Sequence, residues 1–302
     1  IIASYSSSGV QLIDVSDPSS LLSAGSATDG YDGFTELTNA WSVATFVMDS
    51  ATYAIVAGNS DGVQVAQLGA MAPPSQPPVP PATPPPPPSL PSPPSTPLGA
   101  LVLHEPSFAG KAIDGVGGFD QLGNAEGVAI FTRGRGTFAI VASSSDDGVQ
   151  VIDVSNPPWL APMGNATDGV DGFVELDGAA DVATFTIGGG VYAIVAGFDD
   201  DGVQVIKVSN PASLEPMGSA TDGVDGFTRL EGAAGVATFA VDASTYAIVA
   251  GYYADGVQVI DVSDPSNLIA MGSATDDIYG FTQLAGAQSV ATFTIGSSIY
   301  AI

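Results

Sequence analysis

The chain has 302 residues, 45 % of them apolar, with 32 acids against 5 bases and no cysteine. A net charge of −27 excludes nucleic acid and anionic membrane surfaces as partners, because both repel such a chain. Disulfide and thiol chemistry are excluded with cysteine, and no apolar run is long enough for a membrane span.

Read from its start, the chain first shows a strand in GVQLIDVSDP (Gly9–Pro18), with strict alternation. A weaker, more polar strand leads to Thr28, followed by the loop TDGYDGF. SVATFVM alternates again, and YAIVAG (53–58) is wholly apolar, as a strand buried on both faces would be. A degenerate third strand covers Gly62–Leu68, and after an insert a fourth strand is predicted at about Ala100–Phe108. From there the same pattern runs without interruption to Ile302.

The pattern is a repeat. The aromatic residue of the [YF]AI strand falls at Tyr53, Phe138, Tyr192, Tyr246 and Tyr300, with gaps of 85, 54, 54 and 54. Phe34, Phe119, Phe173, Phe227 and Phe281 repeat these gaps, as do Phe46, Phe131, Phe185, Phe239 and Phe293. Asp-Gly precedes the third strand of each full unit and Ser-Asn-Pro or Ser-Asp-Pro follows it, which are turn signals. The predicted fold is all-β: a β-propeller built from five 54-residue four-stranded repeats, joined to a polyproline II linker. A β-solenoid or a sandwich array is the alternative.

The stretches Gly9–Pro18, Gly148–Pro157, Gly202–Pro211 and Gly256–Pro265, read with the preceding AIVAG strands, resemble the LVIVD-type propeller repeat. The resemblance spans most of the chain and implies a fold, with almost nothing about activity. The unit departs from that pattern by an extra DGVDGFTxLxGA loop.

Residues 71–98 contain fifteen prolines: Pro73, Pro74, Pro77, Pro78, Pro80, Pro81, Pro84, Pro85, Pro86, Pro87, Pro88, Pro91, Pro93, Pro94 and Pro97. Proline fixes φ and lacks a backbone donor, so this segment should be a polyproline II rod. The stretches SPPSTP and PPPPPS resemble hydroxyproline-rich linkers of green-algal and plant extracellular glycoproteins. That resemblance implies prolyl hydroxylation and O-glycans along the rod. A rod has no evident place to turn back, so it is expected to link two bodies, 1–70 and 99–302. The chain also begins and ends at one phase of the repeat. Ile1, Ile2 and Ala3 are therefore expected to meet Tyr300, Ala301 and Ile302 head to tail, in a filament or tandem array. The alternative is a lone propeller with a proline loop.

Reactive groups are scarce. The lone histidine, His104, has no repeated partner, and no nucleophile or phosphate-binding motif is present. Lys111 and Lys207 stand where other units have Ser or Asp, and read as drift. The chain is thus expected not to be an enzyme. The acids recur: Asp29 and Asp32, Asp168 and Asp171, Asp222 and Asp225 sit in D-G-x-D-G loops. Carboxylates beside glycines suit Ca2+, but Asp-Gly is also a favoured turn pair, and both readings stand. No other cofactor is expected. The VIDVS aspartates Asp153 and Asp261, with Asp14, should satisfy a neighbouring backbone donor. Asn165-Ala166-Thr167 is an N-glycosylation sequon. The function expected is a secreted structural glycoprotein, an extracellular fibre or matrix subunit whose partners are its own copies and attached glycans. The alternative is a non-catalytic cell-surface binding module for Ca2+, protein or glycan.

Overall fold

The computed structural model describes residues 1–14, 22–49, 51–59, 61–70 and 102–302. Every helix or strand element among them is a β-strand. The first sheet holds β1 (Ile2–Ser4), β2 (Gly9–Asp14) and β3 (Leu22–Thr28). The second holds β4 (Ala40–Met48), β5 (Ala51–Gly58), β6 (Gly62–Ala70) and β7 (Val102–Ile113). The third holds β8 (Ala125–Arg133), β9 (Gly136–Ser143), β10 (Gly148–Asp153) and β11 (Ala161–Thr167). The fourth holds β12 (Ala179–Ile187), β13 (Gly190–Gly197), β14 (Gly202–Lys207) and β15 (Glu215–Thr221). The fifth holds β16 (Ala233–Val241), β17 (Ser244–Gly251), β18 (Gly256–Asp261) and β19 (Ile269–Thr275), and β20 (Thr292–Ile295) pairs with β21 (Ser298–Ala301) in a last hairpin. Each sheet is an antiparallel meander, and the first strands of successive sheets pack on one another. These are blades of a β-propeller. Four are complete, and the fifth repeat is divided between the opening sheet and the closing hairpin.

The cores lie between blades, and this explains the apolar YAIVAG strand. In β9, Ile140 and Ala142 enter the core shared with the fourth sheet, while Ala139 and Val141 enter the core shared with the second. In β13, Ala193 and Val195 face back and Ile194 and Ala196 face forward. Both faces of the strand are dry, so period-2 alternation has nothing polar to display. The loop that sets this unit apart is also part of the core: Phe173 and Leu176 plug the space between the third and fourth sheets. At the hairpin between the first two strands, Phe131–Phe138, Phe185–Tyr192 and Phe239–Tyr246 stack across the pair at 5.4 to 5.5 Å.

The proline insert does not separate two bodies. β6 pairs with β7, with Gly62 opposite Ile113 and Ala70 opposite Val102. The expectation that the third strand at 62–68 and the fourth strand after the insert belong to different bodies is therefore corrected. Pairing satisfies a ladder of backbone groups, irregular at two points, and buries Val63, Val65 and Ala112 in the core. The prolines of 73–97 themselves lie outside the described residues.

Lys111 and Lys207 are also corrected. Lys111 Nζ lies 3.1 Å from Glu36 Oε1 and donates to Thr35 Oγ1 at 2.8 Å. Lys207 Nζ donates to both Glu215 oxygens at 3.0 Å. Other units place Ala161 or Ile269 where Glu215 stands, so lysine and glutamate arrive as a pair. Neither is drift.

Successive blades are fastened by repeated aspartates. The residue before each third strand adopts positive φ: Asp61, Asp147, Asp201 and Asp255 lie between 45° and 57°. From there its Oδ1 accepts a backbone N–H of the next unit: Asn124 at 3.1 Å, Gly178 at 3.1 Å, Gly232 at 2.7 Å and Gly286 at 2.8 Å. Ser8, with φ of 48°, does the same for Asn39 at 3.2 Å. Asp201→Ala removes a charge-assisted bond and puts a Cβ-bearing residue without a polar side chain at positive φ. We expect a loss of about 2–3 kcal/mol, read as a lower urea midpoint, with Asp201→Asn losing less than half as much. Equal losses for the two variants would mean that the bond to Gly232 contributes nothing.

Candidate functional site

The starts of the first strands converge on one cavity of about 620 Å³. Trp41 and Ser42 come from β4, Glu126 from β8, Ala180 and Asp181 from β12, Ala234 from β16, and Gln288 and Ser289 from the run before β20. Ser144, Phe198 and Asp199 reach it from the loops between second and third strands. Here the units stop resembling one another. After a constant alanine the five units read Trp41-Ser42, Glu126-Gly127, Ala180-Asp181, Ala234-Gly235 and Gln288-Ser289, and then a constant valine resumes. Near-identical repeats have kept their packing residues and varied the side chains that face the shared cavity.

Two half-buried carboxylates dominate it. Glu126 Oε1 accepts from Ser144 Oγ at 2.7 Å and from Asn124 Nδ2 at 2.9 Å. Burial raises the Glu126 pKa above its usual 4.5; the bonds from Ser144 and Asn124 oppose the rise, and the nearby Asp199 charge adds to it. Asp181 accepts from the backbone N–H of Val182 and of Val236 in the next blade, both at 2.9 Å. Burial pushes its pKa up to about 6 against those two bonds, with the Glu126 charge adding to the rise. Gly127 is required here, since a Cβ would sit 2.5 Å from Asp181 Cα. Phe198 belongs to an aromatic group with Tyr252 and Tyr253, at ring distances of 6.1 and 5.4 Å. Trp41 stacks at a tilt on Tyr5, 4.9 Å away.

The aspartates singled out in the sequence do local work. Asp29, Asp168 and Asp222 accept the backbone N–H of Leu37, Leu176 and Leu230 at 2.9 to 3.1 Å, pinning the DGxDGFxxL loop shut. Asp32, Asp171 and Asp225 occupy positive-φ turn positions. Among the described residues, no group of three or more His, Cys, Asp or Glu side chains is arranged to hold a metal ion. Asp153 and Asp261 accept from Ser155 and Ser263 N–H at 2.8 and 2.9 Å. Asn165 is exposed on β11. β1, with Ile2 and Ala3, pairs with β2, and β21, with Tyr300 and Ala301, pairs with β20; Ile1 precedes the first and Ile302 is bonded to Ala291. The two sets of end residues are not brought into one sheet.

A second acidic group bears on stability. Glu175 is buried, and its pKa is pushed up to about 7, first by burial, with the Thr221 hydroxyl opposing and the charges of Asp200, Asp168 and Asp201 adding. The unfolded chain releases this proton near 4.5 and the folded chain near 7. Stability from this group is therefore full below pH 4.5, falls as pH rises toward 7 and stays lost above it. Gln121 and Gln283 occupy the same place in other units, so Glu175→Gln is compatible with the fold. We expect it to gain about 2 kcal/mol over the wild type at pH 8 and almost nothing at pH 4, after allowance for solvent screening. Thermal melts across that range check it; a pH-independent gain would show that the cost of ionising the buried Glu175 carboxyl is not the cause.

Four stretches of the chain, 6–29, 123–168, 188–222 and 245–276, match the model of the LVIVD repeat. Those four stretches are similar to the LVIVD repeat, and the fold that carries them is a β-propeller. The matched stretches run through the third strands and end at Asp29, Asp168, Asp222 and Asp276, where the loop to the next unit begins. No curated protein sequence matches the chain. Among solved structures, a functionally unknown protein from Desulfotomaculum acetoxidans superposes with a TM-score of 0.61 at 12 % identity, over 100 % of this chain and 71 % of that one. A periplasmic gluconolactonase of Pseudomonas aeruginosa gives 0.58 at 14 %, over 97 % and 66 %. A Bacteroides fragilis protein named provisionally as a 6-phosphogluconolactonase gives 0.55 at 12 %, over 90 % and 66 %. The chain thus spans about two thirds of the length of these proteins, and at such identities they share its fold. The expectation that the chain is not an enzyme is corrected by these neighbours. Propellers of this architecture include proteins named for lactone hydrolysis, and the motifs sought in the sequence have no bearing on a carboxylate pair assembled from separate blades.

Proposed function

We propose that the central cavity binds a small polyhydroxylated ring and opens a sugar lactone by general base catalysis. The observation that carries this reading is the placement of Glu126 and Asp181, two carboxylates of raised pKa, in one cavity where the repeats diverge. Glu126 is the base. It takes a proton from water as the water oxygen adds to the lactone carbonyl carbon. The proton then passes to the ring oxygen as the carbon–oxygen bond breaks, giving the open hydroxy acid. Burial and the Asp199 charge keep the proton affinity of Glu126 high, and Asp181 is tethered in the same cavity by two backbone N–H groups. Trp41 and Phe198 offer apolar faces to the ring. The names of the two lactonase-like neighbours support the choice of substrate class. The test is ring opening of gluconolactone followed by acid release at constant pH. A rate above buffer that disappears on heat denaturation supports the reading, and a rate equal to buffer ends it.

A second reading is an extracellular glycoprotein, favoured by the exposed sequon asparagine, Asn165, on the outer strand β11. Mass spectrometry of protein from its native source tests occupancy there and hydroxylation across 73–97. Assembly into a fibre rested on a rod between two bodies, and the pairing of β6 with β7 removes that support.

A further inference from the structure

We propose that the cavity accepts an uncharged ring and rejects a phosphorylated one, with Asp199 as a determinant of that choice. This rests on the reading of the cavity as a sugar-lactone site and narrows its substrate class.

Three carboxylates line the cavity, Glu126, Asp181 and Asp199, and among the described residues no Lys, Arg or His does. The charge of Asp199 acts on Glu126 and also on Asp177, which itself lies within reach of Asp147 and Asp200. The wall that carries Asp199 is thus backed by more acid. Four of the five Lys and Arg side chains are engaged elsewhere, and Arg135 lies in the turn between β8 and β9, outside the cavity lining. Lys111 is held by Glu36, Lys207 by Glu215, and Arg229 by Thr275, while Arg133 donates to the Gly189 carbonyl at the hairpin ends. A phosphate carries close to two negative charges and needs fixed donors, of which Arg and Lys are the usual ones. Here it would meet like charge in a confined space and find no cation to pair with. An uncharged sugar ring meets none of this. Its hydroxyls can donate to Glu126 and Asp199, and its C–H face can lie on Trp41 or on Phe198, which Tyr252 and Tyr253 support from behind.

The test compares kcat/KM for gluconolactone and for its 6-phosphate, at low and high salt, in the wild type and in Asp199→Lys. We expect the uncharged lactone to be favoured by about 100-fold at low salt, and the ratio to shrink by about 10-fold at high salt and by at least as much in the variant. Equal or faster opening of the 6-phosphate overturns the proposal, and so does a ratio that ignores both salt and the Asp199 substitution. Binding is measured separately by quenching of Trp41 in a Trp159→Phe chain, which removes the other, exposed tryptophan. Gluconolactone bound but not opened ends the hydrolytic reading, and the charge rule then stands or falls on whether glucose binds more tightly than glucose 6-phosphate. If neither lactone nor sugar quenches Trp41, both readings are overturned.

Discussion

Glu126→Gln should lower kcat for lactone opening by 10² to 10⁴-fold, roughly the range that a positioned general base contributes, with KM changed far less. The amide keeps the shape of the side chain and can still meet Ser144 and Asn124, so the fold should tolerate it. What it cannot do is take a proton. Asp199→Asn should act differently, because the Asp199 charge raises the proton affinity of Glu126. Removing that charge lets Glu126 ionise at lower pH. The acid limb of the rate profile should then move to lower pH, with a loss of roughly a few-fold at neutral pH as Glu126 becomes a weaker base. The two variants are told apart by the pH profile rather than by the size of the loss. If Glu126→Gln retains the wild-type rate, the cavity is not the catalytic site, whatever it binds.

The carboxylate pair was present in the sequence but not recognisable as a pair. Glu126 and Asp181 belong to different repeats and to slightly different positions within them. They meet because the first strand of each blade is innermost, and because Gly127 lets the next blade approach Asp181 closely. Period-2 patterning cannot say which of four strands lines the axis. Once that is known, the divergence of Trp41-Ser42, Glu126-Gly127 and Ala180-Asp181 between constant alanines and valines marks the site. The repeat, the four strands and the double burial of the YAIVAG strand were legible, because spacing and hydrophobicity alone determine them. The separation into two bodies was misread for a physical reason. Proline content bears on the insert alone, whereas the fate of the flanking strands is governed by the ladder they form. Lys111 and Glu36 lie 75 residues apart across that insert, so nothing local reveals their pairing.

The third strand hides the largest structural surprise. GVQVID alternates, which reads as one dry face and one wet face. In β14, however, Gln204 is 0 % exposed. Its Nε2 donates to the Met217 and Gly218 carbonyls at 3.2 Å, where β15 is bulged, and its Oε1 accepts the Val174 N–H at 3.1 Å. The glutamine thus fills the gap left by the bulge and ties the outer strand to the loop that plugs the blade interface. Gln150 and Gln258 repeat this arrangement. Gln204→Leu should preserve volume while leaving a backbone donor and two carbonyls unpaired in a dry site, at a cost of about 3–5 kcal/mol, a large share of a typical folding free energy. Gln204→Glu should cost at least as much at neutral pH, because a carboxylate would face two carbonyl oxygens, and it should recover part of that loss in acid, where the protonated group donates again. Gln11, at the same register in β2, also donates to the Gly25 carbonyl, at 2.8 Å, but is only half-buried, so water can replace the lost bonds and Gln11→Leu should cost about 1 kcal/mol. Urea unfolding of the three variants orders these costs. A Gln204→Leu chain as stable as the wild type would mean that packing alone holds the bulge, and that the glutamine recurs for volume rather than for its amide.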